Sequence, residues 1–430
     1  MRWTIEPSKS LAGEIPIPAS KSYTIRAYVA ALLSNGEVTL KNPLRSLDTD
    51  ACLSAIQRLG AEIAEDKTPR YIRIRGTGGL LSIPDEIIDT QNSGTTIRLL
   101  TAVASLAEEP ITLTGDASIQ KRPIGPLLSA LDQLGVVTES KNGFPPVTVA
   151  GPLVGGLAEM PGDVSSQFLS ALLMATPLAQ KETAIRLTSP LKSRPYAEMT
   201  LQLMSDFGIA YAVGADFASF AIKPGQTYEP REYVVEGDWS SAAFPLSAAA
   251  VTGGEVTVSN LNPRSLQADK KILEILNDAG CEVKTNETKY TVTVKGSKHL
   301  KAFTTDLSNS PDLVPIASVL GAVAQGETHL TNVAHARLKE CDRLAAMHNE
   351  LTKMGAKVKE LPDGLILKGG KLKGAKITSY HDHRIVMAAA VAALVAEGET
   401  VVEDAEVSAV TYPTFKEQMV KLGAKIKQTK

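Results

Sequence analysis

Apolar residues recur at helical spacing in several stretches of the chain, and each of these stretches ends at a glycine. Leu53, Ile56 and Leu59, for example, share one face of a helix that ends before Gly60. Glycine adopts the left-handed conformation that commonly ends helices. Apolar and polar residues then alternate in two short runs, which predicts two strands joined by a turn. The pattern therefore predicts a unit of helix, strand, turn and strand.

This unit recurs along the whole chain. The glycines that end its helices follow one another at intervals of 68 to 75 residues: Gly60, Gly135, Gly208, Gly280, Gly355 and Gly423. Near-constant spacing of this kind indicates an internal repeat. The sixth unit lacks its second strand, whereas Arg2–Glu6 is strand-like and follows no helix. We therefore expect the N-terminal strand to complete the sixth unit.

Six units divide naturally into two domains of three units each. Residues 1–17 and 237–430 are expected to form one discontinuous domain, and residues 18–236 the second domain. A chain of 430 residues is also too long for a single core of ordinary size. Because ligand sites favour clefts between domains, we expect the active site in the inter-domain cleft.

Composition narrows the class of protein. A hydrophobic content of 43% and a charged content of 21% are typical of a soluble globular protein. The net charge of −2 gives no reason to expect nucleic acid or an acidic membrane as a partner. Three cysteines do not form a disulfide framework, which fits a cytoplasmic location. Met1–Pro7 has no apolar signal core, and we expect neither a signal nor a transit peptide.

Two long apolar runs are candidates for buried helices. Leu313–Ala324 and Ile385–Ala396 both fall short of the roughly 18 residues that a membrane-spanning helix needs. We therefore interpret both as helices inside a domain core.

Polar clusters lie where several apolar helices are predicted to begin. Pro18–Arg26 combines Lys21 and Arg26 with four hydroxyl side chains. The N-terminus of a helix with such side chains is suited to a phosphate or carboxylate. The alternative is an ordinary capped helix with a solvated Lys and Arg. Thr90–Arg98 has the same design, and Lys121–Pro126 places cations at a helix start, where the helix dipole disfavours them.

The second half of the chain carries a denser charged cluster. His335–Arg343 packs six ionisable side chains and a cysteine into nine residues. Spacing predicts that Lys339 and Arg343 share one helix face, with Glu340 beside them. A solvated charged face is the alternative. Asp48–Asp50 and Asp312 are expected to cap helices in the plainest interpretation.

Several common sites are excluded. The six histidines are scattered without zinc-site spacing, and neither G-x-S-x-G nor G-x-G-x-x-G occurs. No glycine-rich loop precedes Lys21-Ser22, so it is not a P-loop. The remaining clusters suit a substrate with two or more anionic groups. Asp312, Lys339 and Glu340 are the candidates for proton transfer.

Seven segments, in order along nearly the whole chain, resemble motifs of the 5-enolpyruvylshikimate-3-phosphate synthase family: Ser20–Ala27, Asn92–Arg98, Arg122–Gly125, Ser165–Gln167, Gly237–Asp238, Arg337–Leu344 and Asp382–Arg384. Each motif alone is weak, but seven in order are specific. The resemblance implies an α/β fold: a two-domain inside-out α/β barrel of six βαβαββ repeats, with pseudo-threefold symmetry in each domain.

The resemblance also implies a reaction. The family transfers the enolpyruvyl group of phosphoenolpyruvate to the 5-hydroxyl of shikimate 3-phosphate and releases phosphate. Addition and elimination proceed through a tetrahedral intermediate, in the shikimate pathway to chorismate and the aromatic amino acids. The resemblance implies a monomer with these small-molecule substrates, no metal, no organic cofactor, and no nucleic-acid or membrane partner.

Residue roles follow from the resemblance by position. Asp312 is expected to take the proton of the attacking hydroxyl, Glu340 to protonate the methylene carbon, and Lys21 to assist the loss of phosphate. The expected contacts of phosphoenolpyruvate are Lys21, Asn92, Gly94, Arg122, Gln167, Arg343 and Arg384. The expected contacts of shikimate 3-phosphate are Lys21, Ser22, Arg26, Ser165, Ser166, Gln167, Ser193, Tyr196, Asp312, His335 and Lys339.

The chain departs from the family pattern at three points. His335 stands where many members have Asn, and Cys341 stands where Ser or Thr is common. A Lys that some members carry just before the last Tyr/Phe-Pro element is absent at Val410, with Lys416 as a candidate replacement.

Two other functions remain open at this point. The related enolpyruvyl transferase that acts on UDP-N-acetylglucosamine usually has Lys-Asn at Lys21-Ser22 and a cysteine acid in a loop. Here Cys52, Cys281 and Cys341 are all expected in repeat elements. A non-catalytic anion-binding repeat protein is the third possibility. A nucleic-acid binder of that kind is disfavoured by the near-neutral charge and the aromatic content of 5%.

Overall fold

The structure is a computed structural model that describes residues 1–65 and 71–429. The chain forms two compact units. Ala19–Glu236 make up the continuous unit, and Met1–Pro18 together with Gly237–Lys430 make up the discontinuous unit. Helices and strands alternate in both units, so the α/β fold class predicted from the sequence is confirmed.

The strands are short and regular. Those described are β1 Arg2–Glu6, β2 Ala12–Pro16, β3 Glu37–Lys41, β4 Glu62–Glu65, β5 Tyr71–Arg75, β6 Ile88–Asp89, β7 Ile111–Thr114, β8 Val137–Lys141, β9 Phe144–Ala150, β10 Gly156–Met160, β11 Thr183–Leu187, β12 Ala212–Val213, β13 Ser219–Ile222, β14 Glu232–Val234, β15 Glu255–Ser259, β16 Glu282–Asn286, β17 Thr291–Lys295, β18 Thr304–Asp306, β19 Glu327–Thr331, β20 Lys357–Leu361, β21 Gly364–Lys368, β22 Lys376–Ile377, β23 Thr400–Glu403 and β24 Lys425–Thr429.

The α-helices are α1 Lys21–Leu33, α2 Leu47–Arg58, α3 Gly94–Ala104, α4 Gly125–Gln133, α5 Ser166–Ala175, α6 Arg194–Asp206, α7 Trp239–Thr252, α8 Ile272–Asp278, α9 Val314–Val323, α10 Arg343–Lys353, α11 His383–Ala393 and α12 Phe415–Lys421. Among the helices of the described residues, none is long and apolar enough to cross a membrane.

Each unit contains three four-stranded sheets of the same design. The orders in the continuous unit are β14-β3-β5-β4, β6-β7-β9-β8 and β10-β11-β13-β12. Those in the discontinuous unit are β2-β15-β17-β16, β18-β19-β21-β20 and β22-β23-β1-β24. The first pair of every sheet is parallel and the other two pairs are antiparallel. In the last sheet Thr4 pairs with Val401 and Lys427, so the two chain termini share one sheet.

Two kinds of helix accompany these sheets. The helices α1, α3 and α5 of the continuous unit are buried almost completely, as are α7, α9 and α11 of the discontinuous unit. Helices apolar on all sides are expected in a core. The prediction of buried helices at Leu313–Ala324 and Ile385–Ala396 is therefore confirmed.

The other six helices are less buried and end where the sequence pattern places their ends. Gly60, for example, follows the cap of α2 with a φ of 105°, a conformation that favours glycine. The glycines after α4, α6, α8, α10 and α12 also have positive φ. The prediction of six helix ends is confirmed.

The buried helices begin at polar caps that differ between the units. Ser20 and Ser165 cap α1 and α5 with their hydroxyl groups. Asp238 and Asp382 cap α7 and α11 with their carboxylates. Side chains near these N-terminal turns form the candidate site of each unit.

Candidate active site

In the continuous unit, two guanidinium groups lie against the first turn of α3. Arg98 Nη1 donates to Gln167 Oε1 over 2.6 Å, and Gln167 Nε2 donates to Thr95 Oγ1 over 3.1 Å. A Cβ atom on Gly94 would lie 2.7 Å from Arg122 Nη1 and 3.2 Å from Arg98 Nη1. A side chain at this position would displace the Arg122 guanidinium from its place beside the helix start. Cations beside the N-terminus of a helix form a site for an anion.

The neighbours of this cluster are also predicted contacts. Asn92 Nδ2 donates to Asp116 Oδ2 over 2.8 Å, which fixes the loop before α3. Ser165 Oγ accepts from the backbone N–H of Gln167, and Ser166 is the buried first residue of α5. The structure thus brings Asn92, Gly94, Arg122, Ser165, Ser166 and Gln167 to the starts of α3 and α5 and to the loop before α4.

Arg26 of α1 is a buried cation whose hydrogen bonds go to neutral oxygens. It is 1% exposed, and its Nε donates to Thr200 Oγ1 over 2.7 Å. Its Nη atoms donate to the carbonyls of Ser22 and Tyr196 and to Ser170 Oγ. Burial lowers the pKa of Arg26 to about 10, so the group stays charged at neutral pH. Among the described residues the hydrogen-bond partners of Arg26 are neutral, so an anion at this position would offset its charge.

Ser193, the N-cap residue of α6, has a left-handed conformation with a φ of 55°. Its hydroxyl makes no capping hydrogen bond to the helix. Non-glycine residues in this conformation store strain of order 1 kcal/mol and cluster at functional sites. Tyr196 lies in the first turn of α6 and is half-buried. The Tyr196 carbonyl accepts a hydrogen bond from Arg26, so this helix start lies beside the buried cation.

Lys21 pairs with a carboxylate that the sequence did not identify as part of the site. Its Nζ lies 2.9 Å from Asp48 Oδ2, and the two side chains are 12% and 3% exposed. The expectation that Asp48–Asp50 caps α2 is wrong. Ser46 is the cap, and it forms a capping box with Thr49, which leaves Asp48 to pair with Lys21. A buried ammonium needs such a partner, but the 27-residue separation hides it from spacing arguments.

In the discontinuous unit, Arg343 gathers three carboxylates. It is 1% exposed, and its Nη1 donates to Asp312 Oδ1 over 2.6 Å. Its Nη2 donates to Glu340 Oε2 over 2.6 Å, and its Nε donates to Asp382 Oδ2 over 2.8 Å. Arg384 Nη2 donates to the second oxygen of Asp312 over 2.8 Å. Four predicted site residues, Asp312, Glu340, Arg343 and Arg384, therefore lie together.

The two arginines keep Asp312 ionised. Burial alone would raise the pKa of Asp312, but the charges of Arg384 and Arg343, with that of Lys339, outweigh it and hold the pKa well below its usual range. The three carboxylates in turn raise the pKa of Arg343 despite its burial. An ionised carboxylate in this environment accepts a proton only when its cations are drawn elsewhere.

The expected helix geometry around Lys339 is wrong. A 3-10 helix spans Ala334–Leu338, and α10 begins only at Arg343, after the N-cap Asp342. Lys339 and Glu340 therefore lie in the connecting loop and do not share a helix face with Arg343. The carboxylate of Asp342 accepts the N–H of Ala345, which fixes the helix start. Asp312 is likewise not a cap, because it lies in the 3-10 helix Pro311–Leu313 and binds the two arginines.

Three departures from the family pattern are also located. His335 is half-buried in the 3-10 helix, and Lys416 Nζ donates to Gln428 of β24. Cys341 lies in the loop before α10, so its expected place inside a repeat element is wrong. Burial and the charge of Asp382 raise the pKa of the Cys341 thiol. A thiol with a raised pKa is a poor thiolate nucleophile.

The two groups of residues differ in chemistry. The continuous unit presents cations and hydroxyls suited to holding anions. The discontinuous unit presents carboxylates among cations, suited to proton transfer beside an anionic ligand. Within the described residues, no group of three or more His, Cys, Asp or Glu is arranged to hold a metal ion.

Comparison with known proteins gives a consistent result. A family model described as EPSP synthase (3-phosphoshikimate 1-carboxyvinyltransferase) matches residues 5–419. A 3-phosphoshikimate 1-carboxyvinyltransferase of Methanosarcina acetivorans is 44% identical over 100% of this chain and 99% of the relative. One of Methanocaldococcus jannaschii is 43% identical over 98% of both.

Solved structures agree with the sequence relatives. An EPSP synthase from Acinetobacter baumannii superposes with a TM-score of 0.82 and 28% identity, and the match covers 99% of this chain and 100% of that chain. A second structure of EPSP synthase from the same organism gives a TM-score of 0.83 at 27% identity, over 100% of both chains.

Proposed function

Since the chain belongs to the EPSP synthase family, we propose that its two groups of charged residues perform the family's reaction. The enzyme transfers the enolpyruvyl group of phosphoenolpyruvate to the 5-hydroxyl of shikimate 3-phosphate and releases phosphate, in aromatic amino acid biosynthesis. The observation that carries the residue assignment is the Arg343 cluster. It brings the ionised carboxylate of Asp312 and the carboxyl group of Glu340 into one network.

In this proposal phosphoenolpyruvate is bound mainly by the guanidinium groups of three arginines. Arg122 lies against Gly94 at the start of α3, with Gln167 and Asn92 nearby, and these residues bind it in the continuous unit. Arg343 and Arg384 bind it in the discontinuous unit. Lys21 contacts its phosphate and assists the departure of that group. Each cation offsets negative charge that moves during the reaction.

In this proposal shikimate 3-phosphate is bound mainly by residues with hydroxyl groups. Ser22, Arg26, Ser165, Ser166, Gln167, Ser193 and Tyr196 bind it in the continuous unit, with Lys21. Asp312, His335 and Lys339 bind it in the discontinuous unit. Arg26 supports this assignment because its charge has neutral partners and gains most from a substrate anion.

The chemical steps use the carboxylates as acid and base. Asp312 removes the proton of the 5-hydroxyl as the oxygen attacks the enol carbon. Glu340 donates a proton to the neighbouring methylene carbon, which becomes a methyl group in the tetrahedral adduct. Glu340, now a carboxylate, takes a proton back from this methyl group as phosphate departs with the assistance of Lys21, and the double bond is regenerated.

Substrate binding adjusts Asp312 for this role. In the structure, Arg343 and Arg384 both donate to Asp312 and keep it a weak base. When the anionic groups of phosphoenolpyruvate share these arginines, less positive charge remains on Asp312, and its pKa rises toward the range useful in catalysis.

The finer architecture forms part of the same proposal. We assign six βαβαββ repeats, with pseudo-threefold symmetry in each domain of the inside-out barrel. The shared strand order of the six sheets supports this assignment. A monomer is proposed on the resemblance to the family. A cytoplasmic location is proposed on the low cysteine content.

One assay tests the proposed function. The protein is incubated with phosphoenolpyruvate and shikimate 3-phosphate, and phosphate release is followed. Release that depends on both substrates is expected. Release with UDP-N-acetylglucosamine in place of shikimate 3-phosphate would move the assignment to the related transferase. Absence of release with either acceptor would favour a binding protein without activity.

A further inference from the structure

One buried titratable group of the discontinuous unit has no part in the reaction described above. Asp269 lies in the 3-10 helix Ala268–Lys271 and is 1% exposed. Its Oδ2 accepts a hydrogen bond from the hydroxyl of Ser240, in the first turn of α7. Among the described residues, its Oδ1 has no hydrogen-bond partner. A buried carboxylate with one neutral donor is poorly stabilised, so this place favours the neutral acid.

The backbone around Asp269 is fixed on two sides. Gln267 donates to the carbonyl of Gly237 over 2.8 Å and accepts from the backbone N–H of Trp239 over 3.0 Å. Ser310 Oγ donates to the carbonyl of Ala268 over 3.0 Å. These contacts tie the segment to the start of α7 and to the residue before the Asp312 helix. Asp269 is therefore held at a defined place near the carboxylate cluster.

The charges around Asp269 also oppose its ionisation. Burial, then the negative charge of Asp312, raises the pKa of Asp269 to about 7, with a smaller contribution from Asp238 at the start of α7. Arg384 of α11 and the Ser240 hydroxyl act in the opposite direction. Asp269 and Asp312 thus compete for the charge of Arg384. In the structure Asp312 is the carboxylate that pairs with it, with Arg384 Nη2 lying 2.8 Å from Asp312 Oδ2.

The cations of the Asp269 helix are engaged elsewhere. Lys270 Nζ donates to the carbonyls of Pro263 and Ser265. Lys271 pairs with Glu274 of α8 over 3.0 Å. Neither contact offers Asp269 a positive partner, whereas the charge of Arg384 favours its ionised form.

We propose that Asp269 is a positioning residue that acts through Arg384. When Asp269 is a neutral acid, the positive charge of Arg384 is available to bind phosphoenolpyruvate. When Asp269 is a carboxylate, it attracts Arg384 and weakens that binding. This role rests on the proposed contact between Arg384 and phosphoenolpyruvate. It follows that the affinity for phosphoenolpyruvate falls as Asp269 ionises, whereas the turnover number at saturation changes little.

The kinetic test compares the wild type with Asp269→Asn, a neutral variant of the same shape. The KM for phosphoenolpyruvate is measured for both at several pH values from 6 to 8.5, so that the ionisation of the substrates cancels in the ratio. We expect the ratio of wild-type KM to variant KM to rise by about threefold to tenfold over this range. A ratio that stays constant with pH would overturn the role of Asp269.

A matched control separates this effect from a general one. Asp278→Asn removes an exposed carboxylate from the neighbouring helix α8. Its KM ratio to the wild type is expected to stay constant over the same range. A rise equal to that of Asp269→Asn would also overturn the role of Asp269.

Thermal unfolding tests Asp269 without reference to activity. Because the folded state raises the pKa of Asp269 above its unfolded value of 3.8, the wild type loses stability as pH rises from about 4 to about 7. Asp269→Asn lacks this loss, so its Tm relative to the wild type should increase over that range and then level off. A Tm difference independent of pH would contradict the neutral state of Asp269. This result stands even if the phosphate-release assay fails.

Discussion

Arg26 and Arg343 are two equally buried arginines in opposite environments. Arg26, in the continuous unit, donates to hydroxyl and carbonyl oxygens, and burial lowers its pKa. Arg343, in the discontinuous unit, donates to three carboxylates, which raise its pKa despite burial. A buried charge that its neighbours leave uncompensated costs free energy unless a ligand offsets it. We therefore assign Arg26 to ligand binding, whereas the main role of Arg343 is to position the carboxylates around it.

The same contrast extends to the helix starts of the two units. Hydroxyl caps on α1 and α5 leave the positive end of each helix dipole to an outside anion. Carboxylate caps on α7 and α11 already neutralise it. The continuous unit thus favours anion binding, and the discontinuous unit favours control of protonation.

The largest expected effect is on folding, from the loss of Arg343. Arg343→Met leaves Asp312, Glu340 and Asp382 without their shared cation. We expect a loss of about 3–5 kcal/mol in the free energy of unfolding, measured by urea denaturation. Arg186→Met, which breaks an exposed pair with Glu159, is the control and should cost less than about 1 kcal/mol. Equal costs in the two variants would show that the Arg343 cluster does not organise this part of the fold.

The next effect is on turnover. Glu340→Gln removes the proposed proton donor and keeps the side-chain shape. Turnover is expected to fall about 10²-fold or more, the scale of general acid catalysis, in a phosphate-release assay at saturating substrates. Glu360→Gln alters a carboxylate that pairs with Arg337 outside the cluster and should retain near-wild-type turnover. Near-wild-type turnover of Glu340→Gln would remove Glu340 from the mechanism.

A smaller effect concerns the pH dependence of stability through Asp312. Its folded-state pKa lies below the ordinary value of 3.8, so its stabilising contribution is complete above about pH 4 and declines as pH falls further. The stability difference between the wild type and Asp312→Asn measures this contribution below about pH 4, where Asp269 of the wild type is neutral. Below pH 4 it should shrink by about 1.4 kcal/mol per pH unit. Denaturant unfolding across this range measures it, and a difference that grows toward acid would contradict the assigned charge state.

The smallest effect is on folding, from the loss of Arg26. Arg26→Met removes a buried charge, while Thr200 keeps its hydrogen bonds to Ser170 and to the Tyr196 carbonyl. We expect a change of less than about 1 kcal/mol in the free energy of unfolding, in either direction. A cost as large as that of Arg343→Met would erase the distinction between the two arginines.

The periodic features of the fold could be predicted from the sequence. The glycine after each amphipathic helix marks a real helix end, and the two long apolar runs are buried helices. Both signals are local, because helix periodicity and the left-handed conformation involve only neighbouring residues. The polar N-terminal turns could be identified for the same reason.

The pairings inside the candidate site could not be predicted in this way. Arg343 contacts Asp312 and Asp382, which lie 31 and 39 residues away along the chain. The contact of Arg343 with Glu340 is local along the chain. Even in this segment helical spacing predicts a shared helix face for Lys339 and Arg343 that the structure does not have. The predicted cap role of Asp48 is wrong, because nothing in its own segment shows that Lys21 lies opposite. Contacts between separate helix starts depend on packing, which spacing does not encode.

The most direct test of the contrast between the two arginines is the binding of shikimate 3-phosphate, measured by calorimetry on the wild type, Arg26→Met and Glu340→Gln. Hydrogen bonds to a charged group contribute about 1.5–3 kcal/mol, so Arg26→Met should bind about 10- to 100-fold more weakly. Glu340→Gln should bind within about threefold of the wild type, because a proton donor to the other substrate contributes little to this affinity. Wild-type affinity in Arg26→Met, or an equal loss in Glu340→Gln, would contradict the division between anion binding and proton transfer.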